Sequence, residues 1–139
     1  MNEIFRLDVA TEVEMAVRLL LAAVFGAIVG FEREQAEKPA GLRTLSLVSA
    51  GSALFTIASI YAFPTSDPAR VAAQIVTGVG FLGAGTILRS GFNIRGLTTA
   101  ASIWSVAAIG LAVGSGLYIL SVVATVVMLV ILHLLPRGR

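Results

Sequence analysis

The chain has no cysteine, one histidine, one lysine and little charge of either sign. Each shortage excludes something. Without cysteine there are no disulfides, thiolate metal sites or cysteine nucleophiles, and the redox compartment stays open. A lone His133 makes no histidine pair for zinc. It also leaves the serines of the apolar segments without a nearby base, so no catalytic residue set is expected, and no metal or cofactor. Charged residues form 13% of the 139, about half of what a soluble domain carries. A soluble globular enzyme is therefore excluded, and so is disorder, which needs high charge and low hydrophobicity. Ten basic residues against eight acidic ones leave a net +2. That is no electrostatic footprint for nucleic acid, despite an isoelectric point near 9.7. Proline is also scarce. Pro39, Pro64, Pro68 and Pro136 all fall between or after the apolar segments, where a missing N–H costs least.

Apolar residues are abundant, at 57% of the chain with a mean hydropathy of +0.93. A helix of about 20 mostly apolar residues crosses a bilayer core, and five stretches qualify: 15–31, 45–63, 71–88, 97–113 and 117–135. The expected fold is an all-α, polytopic bundle of five spans in a single domain over 1–139, with the lipid bilayer as its surroundings. Gly114-Ser115-Gly116 separates the last two spans as a tight turn. A four-span alternative omits the first stretch because of Arg18, but it leaves the apolar run 19–31 in water. Glu3, Asp8, Glu12 and Glu14 argue against a signal peptide, and residues 1–14 read as a short interfacial helix. Seven basic residues (Arg33, Lys38, Arg43, Arg89, Arg95, Arg137, Arg139) share one side, and Arg6 and Arg70 the other. Cytoplasmic loops are enriched in Lys and Arg, so the N-terminus is expected outside and the C-terminus in the cytoplasm.

Small residues mark where membrane helices approach closely. Gly26 and Gly30 form such a pair in span one. Gly78, Gly80, Gly83 and Gly85 crowd span three, which is expected at the bundle centre; span five, large and branched all round, is expected at its periphery. Ser49, Ser52, Thr56 and Ser59 lie on one face of span two, and Thr98, Ser102 and Ser105 on one face of span four. These hydroxyls either bond within and between helices or line a polar pathway. Trp104 sits mid-span, so its indole N–H is expected to find a partner inside the bundle. A repeat at an offset of 55 relates Gly30-x10-Gly41-Leu42-x-Thr44 to Gly85-x10-Gly96-Leu97-x-Thr99. Gly78-Val79-Gly80-Phe81-Leu82-Gly83 matches a dinucleotide fingerprint only as a string, because no strand precedes it.

Ionisable residues within spans are costly, by about 2.5–3.5 kcal/mol at the centre, so their positions are informative. Arg18, Arg70 and Gln74 are expected to form an outer polar cluster, with Glu12 or Glu14 pairing Arg18 and Asp67 pairing Arg70; snorkelling of the two arginines to the interface is the structural alternative. Glu32, Arg33, Arg43, Thr44, Arg95, Thr98 and Thr99 are expected to form an inner cluster, as an inter-loop salt-bridge network. Glu32, Glu34 and Glu37 read as solvated acids rather than a magnesium site.

Gly30-Phe-Glu-Arg-Glu34, Lys38-Pro-Ala-Gly-Leu-Arg-Thr44, Ala69-Arg70-x3-Gln74, Gly78-Val-Gly-Phe-Leu-Gly-Ala-Gly85, Gly96-Leu-Thr-Thr-Ala-Ala101 and Trp104 together resemble the MgtC/SapB membrane-protein family, over about residues 15–134. The resemblance implies a bacterial inner-membrane protein. It implies links to growth in low magnesium, to virulence through survival in macrophages, and to restraint of the ATP synthase and membrane potential, rather than magnesium transport itself. Longer members add a soluble ACT-like C-terminal domain, so the chain reads as a short form. Leu45 and Ser49 depart from the family pattern, standing where many members have His and some have Cys. Two functions follow as expectations. One is a non-enzymatic regulator, homodimeric through small-residue helix faces, that contacts another membrane complex such as the ATP synthase. The other is a small ion or solute channel or transporter lined by the Ser/Thr stripes, with the arginines as selectivity charges.

Overall fold

A computed structural model describes residues 7–136. It contains five helices: α1 (Val9–Gln35), α2 (Leu42–Ala62), α3 (Ala69–Ala84), α4 (Leu97–Gly114) and α5 (Tyr118–Leu134). Each expected span overlaps one of them. Among the described residues, the one departure from helices and their connections is a small hairpin between α3 and α4, β1 (Leu88–Ser90) with β2 (Asn93–Arg95), paired antiparallel with Arg89 opposite Ile94. α1, α2 and α4 are long and apolar enough to cross a membrane, while α3 and α5 are shorter apolar helices of 16 and 17 residues.

α1 begins earlier than hydropathy suggests. The Asp8 side chain accepts the Thr11 N–H at 3.1 Å and caps it, and these hydrogen bonds hold the Asp8 carboxyl below the usual carboxylate range. Residues 9–14 therefore continue α1 rather than forming a separate interfacial helix; residues 1–6 of that expected helix, with Arg6, lie outside the described residues, as do Arg137 and Arg139. α3 ends at Ala84, four residues before the expected boundary, because the chain turns there into the hairpin. Gly96 opens α4 at φ +88°, a left-handed conformation natural to glycine, and its α-carbon lies against the Thr86 carbonyl.

Close contacts give the relative directions of the helices. Gly26 abuts Leu45 and Gly30 abuts Gly41, so α1 and α2 are antiparallel. Gly110 abuts Ser49 and Gly114 abuts Ala53, so α2 and α4 are parallel. Gly83 meets Ala100 and, further along, Thr86 meets Gly96, so α3 and α4 are antiparallel. The chain thus reverses at every connection. α4 is the central helix and packs against the other four. The core is Val29, Leu45, Ala53, Ile103, Val106, Ile109 and Val113 with Ala22 and Ala40.

Two expectations about placement are corrected. α3 is peripheral, not central: only Ile75 and Gly83 on it are buried, and a side chain added at Gly78 or Gly80 would meet open space. The close backbone approaches are made instead by Gly26 and Gly30 on α1 and by Gly110 and Gly114 on α4. Trp104 is 53% exposed on the outer face of α4, so its indole points away from the bundle. α5 lies at the periphery as expected, with only Ser121 and Thr125 buried.

Candidate functional site

The alternation of helices carries the polar residues to two ends. At one end stand Glu14, Arg18, Tyr61, Arg70, Gln74 and Tyr118. At the other stand Glu32, Arg33, Arg43, the hairpin, Thr98 and Thr99.

Arg18 organises the first end and is 8% exposed. Its Nη2 meets Glu14 Oε1 at 2.6 Å, one helical turn away. Nη1 donates to the Gly114 carbonyl at 3.0 Å, and Nε donates to the Tyr118 hydroxyl at 3.1 Å. The Tyr118 hydroxyl in turn donates to Glu14 Oε1 at 3.2 Å. Tyr61 and Tyr118 each place a ring 6.0 Å from the guanidinium carbon, within cation–π reach. The planar fork thus joins α1 to the last carbonyl of α4 and the first residue of α5. The expected Glu14 pairing is present, and Glu12 takes no part in it. Nothing in the sequence spacing pointed to Tyr61, Gly114 or Tyr118, which lie 43 to 100 residues away.

Arg70 and Gln74 share this end but not this cluster. Both are exposed on α3, and among the described residues neither bonds to Arg18. Asp67 accepts the Ala69 N–H at 2.9 Å, at the start of α3, instead of pairing with Arg70. Gln74 lines a groove of about 440 Å³ between α2 and α3, whose other walls include Leu47, Gly51, Phe55, Gly78 and Leu82.

At the second end, Arg33 is 3% exposed and makes a two-point ion pair with its neighbour Glu32, at 2.7 and 3.2 Å. Arg43, Thr44, Arg95 and Thr98 are exposed, and Thr99 is buried. Arg89 donates to the Gly91 carbonyl at 3.2 Å within the hairpin. Among the described residues no ion pair links the loops, so the expected inter-loop network reduces to one pair on α1. Glu32 also lines a cavity of about 720 Å³ with Gln35 and with His133, the lone histidine. Among the described residues no group of three potential metal ligands comes together.

The hydroxyl stripe of α2 is buried. Ser52 donates to the Ala107 carbonyl of α4 at 2.6 Å, Thr56 to the Ser52 carbonyl at 2.8 Å, and Ser59 to the Pro68 carbonyl at 3.4 Å. Ser102 donates to the Thr98 carbonyl at 2.8 Å. Ser49 is the exception, with a fully buried hydroxyl that has no partner. It sits where Gly26 of α1 and Gly110 of α4 both press on α2. Thr98, Ser102 and Ser105 line a second cavity of about 410 Å³ together with Met128 and Leu132 of α5.

The chain matches the family model described as MgtC family over residues 19–138. It is 50% identical over 128 residues to the Escherichia coli K12 protein named "Putative magnesium transporter YhiD", covering 86% of this chain and 60% of that protein. It is 48% identical over 113 residues to "Protein MgtC" of Salmonella typhimurium LT2, covering 81% of this chain and 48% of that protein. "Protein MgtC" of Brucella abortus is 49% identical over 114 residues, at 82% and 48%. The chain therefore spans about half of the length of these relatives. No solved structure matches it. A family model that covers the bundle from Leu19 onward, with three relatives at about half identity, makes the chain a member of the MgtC family.

Proposed function

We propose that the chain is a five-span protein of the bacterial inner membrane, N-terminus outside, that serves magnesium homeostasis and adaptation to low magnesium as a regulator of membrane energetics. It acts through lateral contact with another membrane complex, such as the ATP synthase, and performs no catalysis. The observation that carries this reading is what the buried polar groups do. Arg18, Ser52, Thr56 and Ser59 each bond to a backbone carbonyl of the bundle. Groups held this way stabilise helix packing and are not free to replace the hydration shell of a passing ion, which a selectivity filter requires. Two of the cavities, in turn, have mostly apolar walls.

Several features support the membrane placement. α3 and α5 are about 24–26 Å long at 1.5 Å per residue, within a few ångströms of a bilayer core of about 30 Å. Arg33, Lys38, Arg43, Arg89 and Arg95 lie at one end and fit the cytoplasmic side. A homodimer through small residues would use α3, because Gly26 and Gly30 already meet α2. Ala73, Thr77, Gly80 and Ala84 form an exposed small face there. A role in virulence rests on family membership alone.

The second reading, a channel or transporter, is favoured by the name of the Escherichia coli relative and by Thr98, Ser102 and Ser105 lining one cavity. Inverted membrane vesicles test the regulatory reading. With the chain present, ATP-driven proton pumping is expected to fall relative to vesicles with an unrelated five-span protein at equal abundance. Unchanged pumping counts against it.

A further inference from the structure

We propose that the groove between α2 and α3 is a binding site for one anionic phospholipid, with Arg70 holding its phosphate. The inference depends on the chain lying in a bilayer and is independent of what the protein regulates. Residues four apart share a helix face, and along α3 this ladder runs Arg70, Gln74, Gly78, Leu82. Gln74, Gly78 and Leu82 line the groove directly, and Arg70 continues the line by one turn to the helix end. The ladder is graded as a phospholipid is graded: a cation for the phosphate, then an amide for the ester carbonyls, then open apolar space for a chain.

Each step has its own support. Arg70 lies in the first turn of α3, at the level where headgroups lie, and it is exposed. Asp67, the nearest acid in sequence, is committed to the Ala69 N–H and forms no ion pair with it. A guanidinium matches phosphate oxygens with paired N–H donors. Below it, Gly51 on α2 and Gly78 on α3 both lack any neighbour within 4 Å of an added Cβ. A void of about 440 Å³ lies between the two helices here. A second helix, about 10 Å across with its side chains, does not fit into that space, whereas a flexible hydrocarbon chain does.

The test uses the full chain, purified in detergent, stripped of lipid and titrated with phosphatidylglycerol or phosphatidylethanolamine under native mass spectrometry. One tightly bound phosphatidylglycerol per chain is expected. Arg70→Ala is expected to weaken it about tenfold, the scale of losing one charge-assisted hydrogen-bonded contact. Gly78→Leu, which fills open space and leaves the fold intact, is expected to remove it. Arg89→Ala, at the opposite end, is expected to leave binding unchanged. Equal binding by the parent, Arg70→Ala and Gly78→Leu overturns the proposal. So does full competition by glycerophosphoglycerol, which carries the headgroup without the chains, or loss of a dimer in Gly78→Leu with lipid binding unaltered, which would assign the groove to a second copy.

Discussion

Arg18 of α1 donates through Nη1 to the carbonyl oxygen of Gly114 at 3.0 Å, across 96 residues of sequence. That carbonyl belongs to the last residue of α4 and has no partner within its own helix. The contact satisfies it and puts a cation at the negative end of the α4 dipole. Glu14 and Tyr118 complete the arrangement, so each of the three guanidinium nitrogens has a partner. Its role is to fasten three helices together. Arg18→Met is expected to lower stability by about 1.5–3 kcal/mol, the range for hydrogen bonds to charged groups, and Arg18→Lys to recover only part of this. Chemical denaturation in mixed micelles followed by circular dichroism measures both. An unshifted midpoint in Arg18→Met would show the cluster to be idle.

The glycines separate into two classes with opposite expected behaviour. A Cβ at Gly30 would stand 2.8 Å from the Gly41 carbonyl oxygen, and one at Gly114 would stand 2.8 Å from the Ala53 carbonyl oxygen. Gly30→Val and Gly114→Val must therefore push helices apart, and a loss of monodisperse protein on size exclusion is expected. Gly80→Ala on α3 meets nothing and gains helix propensity of up to about 1 kcal/mol. Equal yields from all three variants would contradict the packing described.

Ser49 and Ser52 differ by one bond. Ser52 donates to α4, and its replacement by Ala is expected to cost about 0.5–1.5 kcal/mol. The Ser49 hydroxyl is buried without a partner, so Ser49→Ala removes an unsatisfied group and is expected to be neutral or stabilising. Thermal unfolding of the two variants in the same detergent gives the comparison. A larger loss in Ser49→Ala would mean that this hydroxyl holds a partner.

The absence of cysteine makes topology directly measurable. Ser66→Cys, between α2 and α3, is expected to react with a membrane-impermeant maleimide in intact spheroplasts. Asn93→Cys, in the hairpin, is expected to react only after permeabilisation. The reverse pattern inverts the proposed orientation.

Much of the helical frame was legible in the sequence because hydropathy reports helix length directly. The start of α4 at Leu97 fell on its residue, since Gly96 precedes an unbroken apolar run. Arg18–Glu14 was legible because residues four apart share a face. What approaches a glycine was not. Gly78 and Gly80 are glycines in an apolar helix just as Gly26 and Gly30 are, yet only the second pair has a helix against it. Gly110 lies inside a strongly apolar segment and Gly114 reads as part of the turn after it, although their spacing of four repeats that of Gly26 and Gly30. The hairpin was read as a loop because three-residue strands are too short to show alternation. Asp67 was expected to pair with Arg70, but its short side chain reaches its own helix N-terminus first.

The central claim is that the bundle is held by its buried polar groups and does not conduct through them. Magnesium entry into proteoliposomes of the purified, folded and inserted chain, followed with an internal magnesium-sensitive dye, tests this most directly. The account predicts entry no faster than into empty liposomes, for the parent and for Arg70→Ala alike. Saturable entry that Arg70→Ala abolishes while remaining folded would contradict it and make the protein a transporter.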